Sequence, residues 1–132
     1  MNSVMHESTT RSNMEAYFKT HDVKYIAEDA VFIDMSSGDR HQGREDIAKM
    51  LHYIYHIAFD AKASVDNYII TEDRAMIEGL FVGKHIGNFA GIEATNKSVN
   101  VPLCVSYTLE KGLIKEARIY MLANVLIEQL HK

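Results

Sequence analysis

The chain has 132 residues, 47% of them hydrophobic, which is enough for one domain with a core of its own. Its net charge of −4, without a basic run, leaves no footprint for nucleic acid and no polybasic patch for an anionic membrane. A single cysteine, Cys104, excludes an internal disulfide, and no leader-like segment or apolar run of membrane-spanning length appears, so a cytoplasmic domain is expected.

Residues 1–12 are polar and are expected to form a flexible N-terminus ahead of one domain spanning 13–132. Between Asn13 and Lys24, Met14, Tyr17, Phe18 and His21 recur at helical spacing and predict a first helix. Tyr25 to Asp29 continues it or makes a short turn. Ala30 to Asp34 reads as a strand, and Ser36-Ser37-Gly38-Asp39 is turn chemistry. After Gly43, the apolar stripe Ile47, Met50, Leu51, Ile54 and Ala58 predicts a long helix from Arg44 to about Phe59.

From Ala61 the period changes from helical to two. Lys62 to Ile70 alternates, Thr71-Glu72-Asp73 turns, and Arg74 to His85 runs back. A polar loop over Gly87 to Lys97 precedes a strand from Ser98 to Leu109. Glu110-Lys111-Gly112 then makes a tight hairpin turn, where glycine is free to take positive φ. The last strand alternates, with Glu116, Arg118, Tyr120 and Leu122 on one face and Ala117, Ile119 and Met121 on the other. Val125, Leu126 and Leu130 then return to helical spacing and predict a short C-terminal helix. Helices first and an antiparallel meander after them give an α+β class, with helices packed on one face of a curved sheet.

Several of these segments together resemble the SnoaL-like polyketide cyclases of the nuclear-transport-factor-2-like (NTF2-like) superfamily. The matching pieces are Ala30-Val31-Phe32-Ile33-Asp34, Gly43-Arg44-Glu45-Asp46-Ile47, the loop Gly83-Lys84-His85-Ile86-Gly87-Asn88-Phe89-Ala90-Gly91-Ile92, Val99-Asn100-Val101-Pro102, and Tyr120 with Gln129-Leu130. The resemblance implies a cone-shaped α+β barrel whose mouth holds a hydrophobic ligand, usually in a homodimer and without a cofactor. It also implies an acid/base aspartate two residues after the matching tyrosine. Here that position is Leu122, and an alkyl chain cannot shuttle a proton.

The catalytic candidates are therefore Asp34, His85 and Tyr120. Asp34 reads either as a buried pocket carboxylate or as a strand-end aspartate starting a turn. His85 either faces the mouth or is a capped strand-end residue. Arg118 and Tyr120 share a face and would offer an anion anchor and a phenol, unless Arg118 pairs with a surface acid and Tyr120 simply packs. Tyr17, Phe32, Phe81, Arg118 and Leu122 complete the expected ligand-binding set, for a small apolar or aromatic molecule.

Other features have quieter readings. Glu78 reads as half of an ion pair with Arg118 or Lys84 or as a solvated residue of a dimer face, ahead of a catalytic role, and Gly79 as either a cavity-enlarging residue or a bulge. His52 and His56 stand four apart on the long helix, yet no third ligand is evident and no metal site is expected. Cys104 is read as core. Ile69, Val82 and Leu103 are expected to form an apolar outer patch that supports a dimer.

Overall fold

In a computed structural model that describes residues 3–132, with side chains from residue 8 onward, the two halves of the chain fold as their periods require. The order is α1 (Ser3–Thr20), a 3-10 turn (Val23–Tyr25), β1 (Ile26–Asp34), β2 (Arg40–Gln42) and α2 (Arg44–His52). A π-helical turn (Tyr53–Ile57) follows, then β3 (Phe59–Ile70), β4 (Arg74–His85), β5 (Ser98–Glu110), β6 (Leu113–Met121) and α3 (Ala123–His131). Six strands make one sheet in the order β2-β1-β6-β5-β4-β3. Every neighbour is antiparallel except β1 with β6, which run parallel because the α2 region and the meander separate them in sequence. No described helix is long and apolar enough to cross a membrane.

Four boundaries differ from the sequence reading. Strand β1 begins at Ile26, so Ile26 to Asp29, read as helix or turn, are extended. Helix α1 starts at Ser3, well before Asn13; residues 1–2 lie outside the described residues. Its N-terminal half is tied down where Thr10, fully buried, donates its hydroxyl to the Glu72 carbonyl at 2.7 Å. The long second helix stops at His52 and widens into the π turn, so Phe59 belongs to β3 instead. Strand β2 is only three residues long and carries no alternation to read.

Alternation decides which side chains enter the core. On β5, Val99, Val101, Leu103, Val105, Tyr107 and Leu109 are all buried and face the helices, with exposed or half-buried residues between them. Leu103 is thus a core residue and not part of an outer patch, while Cys104, read as core, is half-buried on the opposite face beside Tyr120. The core has two clusters. One gathers Met14, Tyr17, Phe32, Ile47, Ile77 and Tyr107 beneath α1 and α2. The other joins Phe59, Phe81, Val101, Leu126 and Leu130 beneath α3. Met121 packs against both.

Gly79 enlarges no cavity. A Cβ there would lie 1.9 Å from the Ser64 carbonyl oxygen, so the glycine admits close approach of β3 just where its register shifts between Val65 and Asn67.

Candidate functional site

The concave side of the sheet opens between the C-terminal half of α1, the π turn and β3, which is the free edge of the sheet. A cavity of about 680 Å³ lies there, walled by Phe18, Ala63, Val65 and Tyr68 and carrying His21 and Tyr55. A smaller cavity of about 180 Å³ between α1 and α2 shares Thr20, His21, Tyr55 and His56 with it. These four residues are the junction of the two spaces.

His21 owes its position to the end of α1. Its N–H donates to the Tyr17 carbonyl at 2.7 Å, and its backbone turns into the left-handed region with φ of 53°. That is a helix-terminating conformation usually taken by glycine, and a histidine held there is a strained exception of the kind found at functional sites. The imidazole stacks on Tyr55 at 4.7 Å between ring centroids and meets the Tyr17 ring edge-on at 5.1 Å. Burial, and secondarily the nearby His56, lower its pKa to about 4, so the ring is neutral at physiological pH.

Tyr55 reaches the site because the π turn places it there. Three contacts hold that turn. The Tyr53 hydroxyl donates to the Asn88 carbonyl, while the N–H groups of Ile86 and Gly87 both donate to the Ala58 carbonyl at 2.9 and 3.0 Å. Single π turns inside helices often mark functional sites.

Below His21 and Phe18 lie two more phenols. Tyr17 and Tyr107 are 1% and 5% exposed, with ring centroids 6.1 Å apart. Burial raises the pKa of Tyr17, Tyr55 and Tyr107, to about 12 for Tyr55, and their mutual proximity adds to the rise for Tyr17 and Tyr107. All three therefore stay protonated, as hydrogen-bond donors. A neutral imidazole and the protonated Tyr55 phenol meet at the junction, which suits an oxygen acceptor such as a carbonyl, whereas Tyr17 and Tyr107 line neither cavity.

The residues expected from sequence distribute differently. Tyr17, Phe32 and Phe81 are buried on the concave side, Phe81 tilted against Tyr55 at 5.5 Å, and none of the three lines either cavity. Arg118 and Tyr120 point the other way, out from the convex face, because β6 buries Ala117 on the concave side and the parity fixes the rest. Arg118 pairs with Glu116 on the same face, and Tyr120 is 46% exposed. Glu78 lies on that face too, accepting from Asn67 at 3.2 Å and not from Arg118 or Lys84. Leu122 is half exposed at the start of α3, its N–H bonded to the Pro102 carbonyl, and lines neither cavity. Asp34 is a turn residue: one carboxylate oxygen accepts from both the N–H and the hydroxyl of Ser36, at 2.9 and 2.6 Å.

His85 is fully buried in the second cluster, 5.1 Å from the Phe59 ring. Its Nδ1 accepts the Thr95 N–H at 3.1 Å, which puts the ring proton on Nε2, and that atom has no partner. No group of three or more histidine, cysteine or acidic residues suited to a metal occurs among the described residues; His52 and His56 stand 5.4 Å apart with no third ligand. His21 and Tyr55 went unselected as site residues in the sequence. The sequence reading carried the first helix to Lys24, past its actual end at Thr20, so nothing in it marked His21 as the terminating residue.

A family model for SnoaL-like polyketide cyclases matches residues 10–130. No curated protein matches the chain. Among solved structures, a Jannaschia sp. CCS1 protein carrying the SnoaL-like polyketide cyclase name superposes with a TM-score of 0.83 at 16% identity, covering 94% of this chain and 92% of that one. IdmH from Streptomyces antibioticus, also named for polyketide cyclases, gives 0.73 at 21% identity over 96% and 99%. A phenazine biosynthesis-related protein from Pseudomonas aeruginosa gives 0.82 at 18% identity over 98% and 89%. At these identities the likeness establishes the fold.

Proposed function

Because the chain belongs to the SnoaL-like polyketide cyclase family, we propose that it binds a small, mostly apolar carbonyl compound in the mouth of its cone and polarises the carbonyl there. The observation that carries this reading is His21: strained, stacked on Tyr55, held neutral, and placed where the two cavities meet. Tyr55 donates to the ligand oxygen first, with His21 as a second neutral partner. Such a pair lowers the energy of negative charge developing on oxygen, as ring closure or double-bond migration next to a carbonyl requires.

A second reading is a non-catalytic binding module on the same fold. It is favoured by Leu122, which occupies the place where the family resemblance puts an aspartate. In either reading we propose a homodimer formed through the convex face, where Ile69, Met76 and Tyr120 stand 71%, 48% and 46% exposed.

The test compares 2-acetonaphthone with 2-ethylnaphthalene, equal in shape but with and without the carbonyl. The ketone is expected to bind several-fold more tightly, and Tyr55→Phe to abolish that preference, consistent with about 1 kcal/mol for one hydrogen bond. Equal affinity for both compounds in the native protein would sink the proposal.

A further inference from the structure

We infer that the ligand of this site is a ketone branched at its carbonyl, with a bulky apolar body in the main cavity and a short alkyl arm in the side cavity between α1 and α2. The inference rests on the carbonyl reading above and adds the shape of the ligand. The two spaces, of about 680 and 180 Å³, have Thr20, His21, Tyr55 and His56 in common, so they meet at the donors that hold the oxygen. Beyond the junction the side cavity has walls of its own, Val23, Ala48, Leu51 and His52, none of which borders the main cavity. Val23 and Ala48 also border the open groove along the outside of α2, and so mark the far end of the side cavity.

A carbonyl carbon is trigonal. With its oxygen on Tyr55 and His21, its two remaining bonds diverge, and the junction offers a space for each. An aldehyde would fill only one of them. Taken alone, a small gap between two helices is a packing defect, but this one opens onto the main cavity at the donor pair. Its lining also favours carbon over water. Val23, Ala48 and Leu51 are alkyl walls, and the Thr20 hydroxyl is engaged in both directions, donating to the Ala16 carbonyl and accepting the Asp22 N–H, each at 3.1 Å. At about 30 Å³ for each small group, the side cavity holds on the order of five heavy atoms, the size of a propyl or butyl arm. Ala48 then sets the length of that arm, because a larger side chain at the far end would take its space.

The experiment measures binding of 2-acetonaphthone, 1-(2-naphthyl)butan-1-one and 6-ethyl-2-acetonaphthone by calorimetry, to the native protein and to Ala48→Leu, which keeps a good helix former in α2. The last two ketones are isomers that carry the added carbons on the carbonyl arm or on the ring. The butanone is expected to bind about tenfold more tightly than 2-acetonaphthone, roughly threefold for each added methylene. Ala48→Leu is expected to remove that gain, while 2-acetonaphthone and the 6-ethyl isomer bind as they do to the native protein. His52 borders the side cavity and not the main one, so its imidazole signals in NMR spectra of the native protein should move further with the butanone than with 2-acetonaphthone. No gain from the longer arm, with 2-acetonaphthone bound, would overturn this inference and leave the carbonyl reading standing. A gain that survives in Ala48→Leu, or His52 signals that ignore the arm, would overturn it too. If none of the ketones binds, both readings fall together.

Discussion

At the scale of single residues, His21 links backbone strain to a titration. Its pKa falls from an ordinary 6.5 to about 4 on folding, so between those values the unfolded chain binds a proton that the folded chain refuses. Stability is therefore full above about pH 6.5, declines as pH falls through the window, and levels off below about 4. The full loss is on the order of 3 kcal/mol. Urea unfolding at stepped pH should show it, and His21→Leu should flatten that part of the curve; an equally steep curve in the variant would rule out His21 as the source. The site was only partly legible in the sequence. Tyr17, Phe32 and Phe81 could be read as buried, since apolar periodicity reports burial, but it does not report which buried residues border a cavity, and these three border none. Arg118, Tyr120 and Leu122 could not, because a parity says which residues share a face and not which face the helices cover. Asp34 shows the opposite case, where turn residues read from sequence proved the full account of a carboxylate.

Among the elements, the π turn is the one whose exact form matters most to the site. Gly87 sits against it so closely that a Cβ would lie 2.3 Å from the Ile57 carbonyl oxygen, a backbone atom with no rotamer to escape into. Gly87→Ala is expected to destabilise the protein by on the order of 2 kcal/mol and to weaken ketone binding, since the turn that aims Tyr55 must shift. Denaturant midpoints and the naphthyl ketone titration check it; unchanged binding together with lost stability would show that Tyr55 is aimed by other contacts. Most elements could be read in advance because their periods are unambiguous: β4 runs from Arg74 to His85 as the alternation implies. The π turn could not, since the stripe Ile47, Met50, Leu51 and Ile54 is compatible with an uninterrupted helix. What widens it is a tertiary clamp from Tyr53 to Asn88 and from Ala58 to Ile86 and Gly87.

For the whole molecule, the convex face supplies the test of assembly. Ile69 and Met76 are direct cross-strand partners there in a row that continues into Ser106 and Arg118, and Cys104 and Tyr120 share the next row with Glu78 and Asn67, so the two apolar pairs are diagonal neighbours. Light scattering coupled to size exclusion should give about twice the 15.0 kDa chain mass, and Ile69→Lys should shift the population toward monomer. A native mass of one chain would dismiss the dimer. The division of the core has a different consequence, one of cooperativity. Two clusters joined through Met121 are two candidate foldons, and the seam between them runs beneath the π turn. Amide hydrogens of β5 near Val99 and Val101 should then exchange through a smaller opening than those near Val105 and Tyr107 on the same strand. Met121→Ala should widen that gap, so that the α3 end of the molecule breathes while the α1 end stays shut.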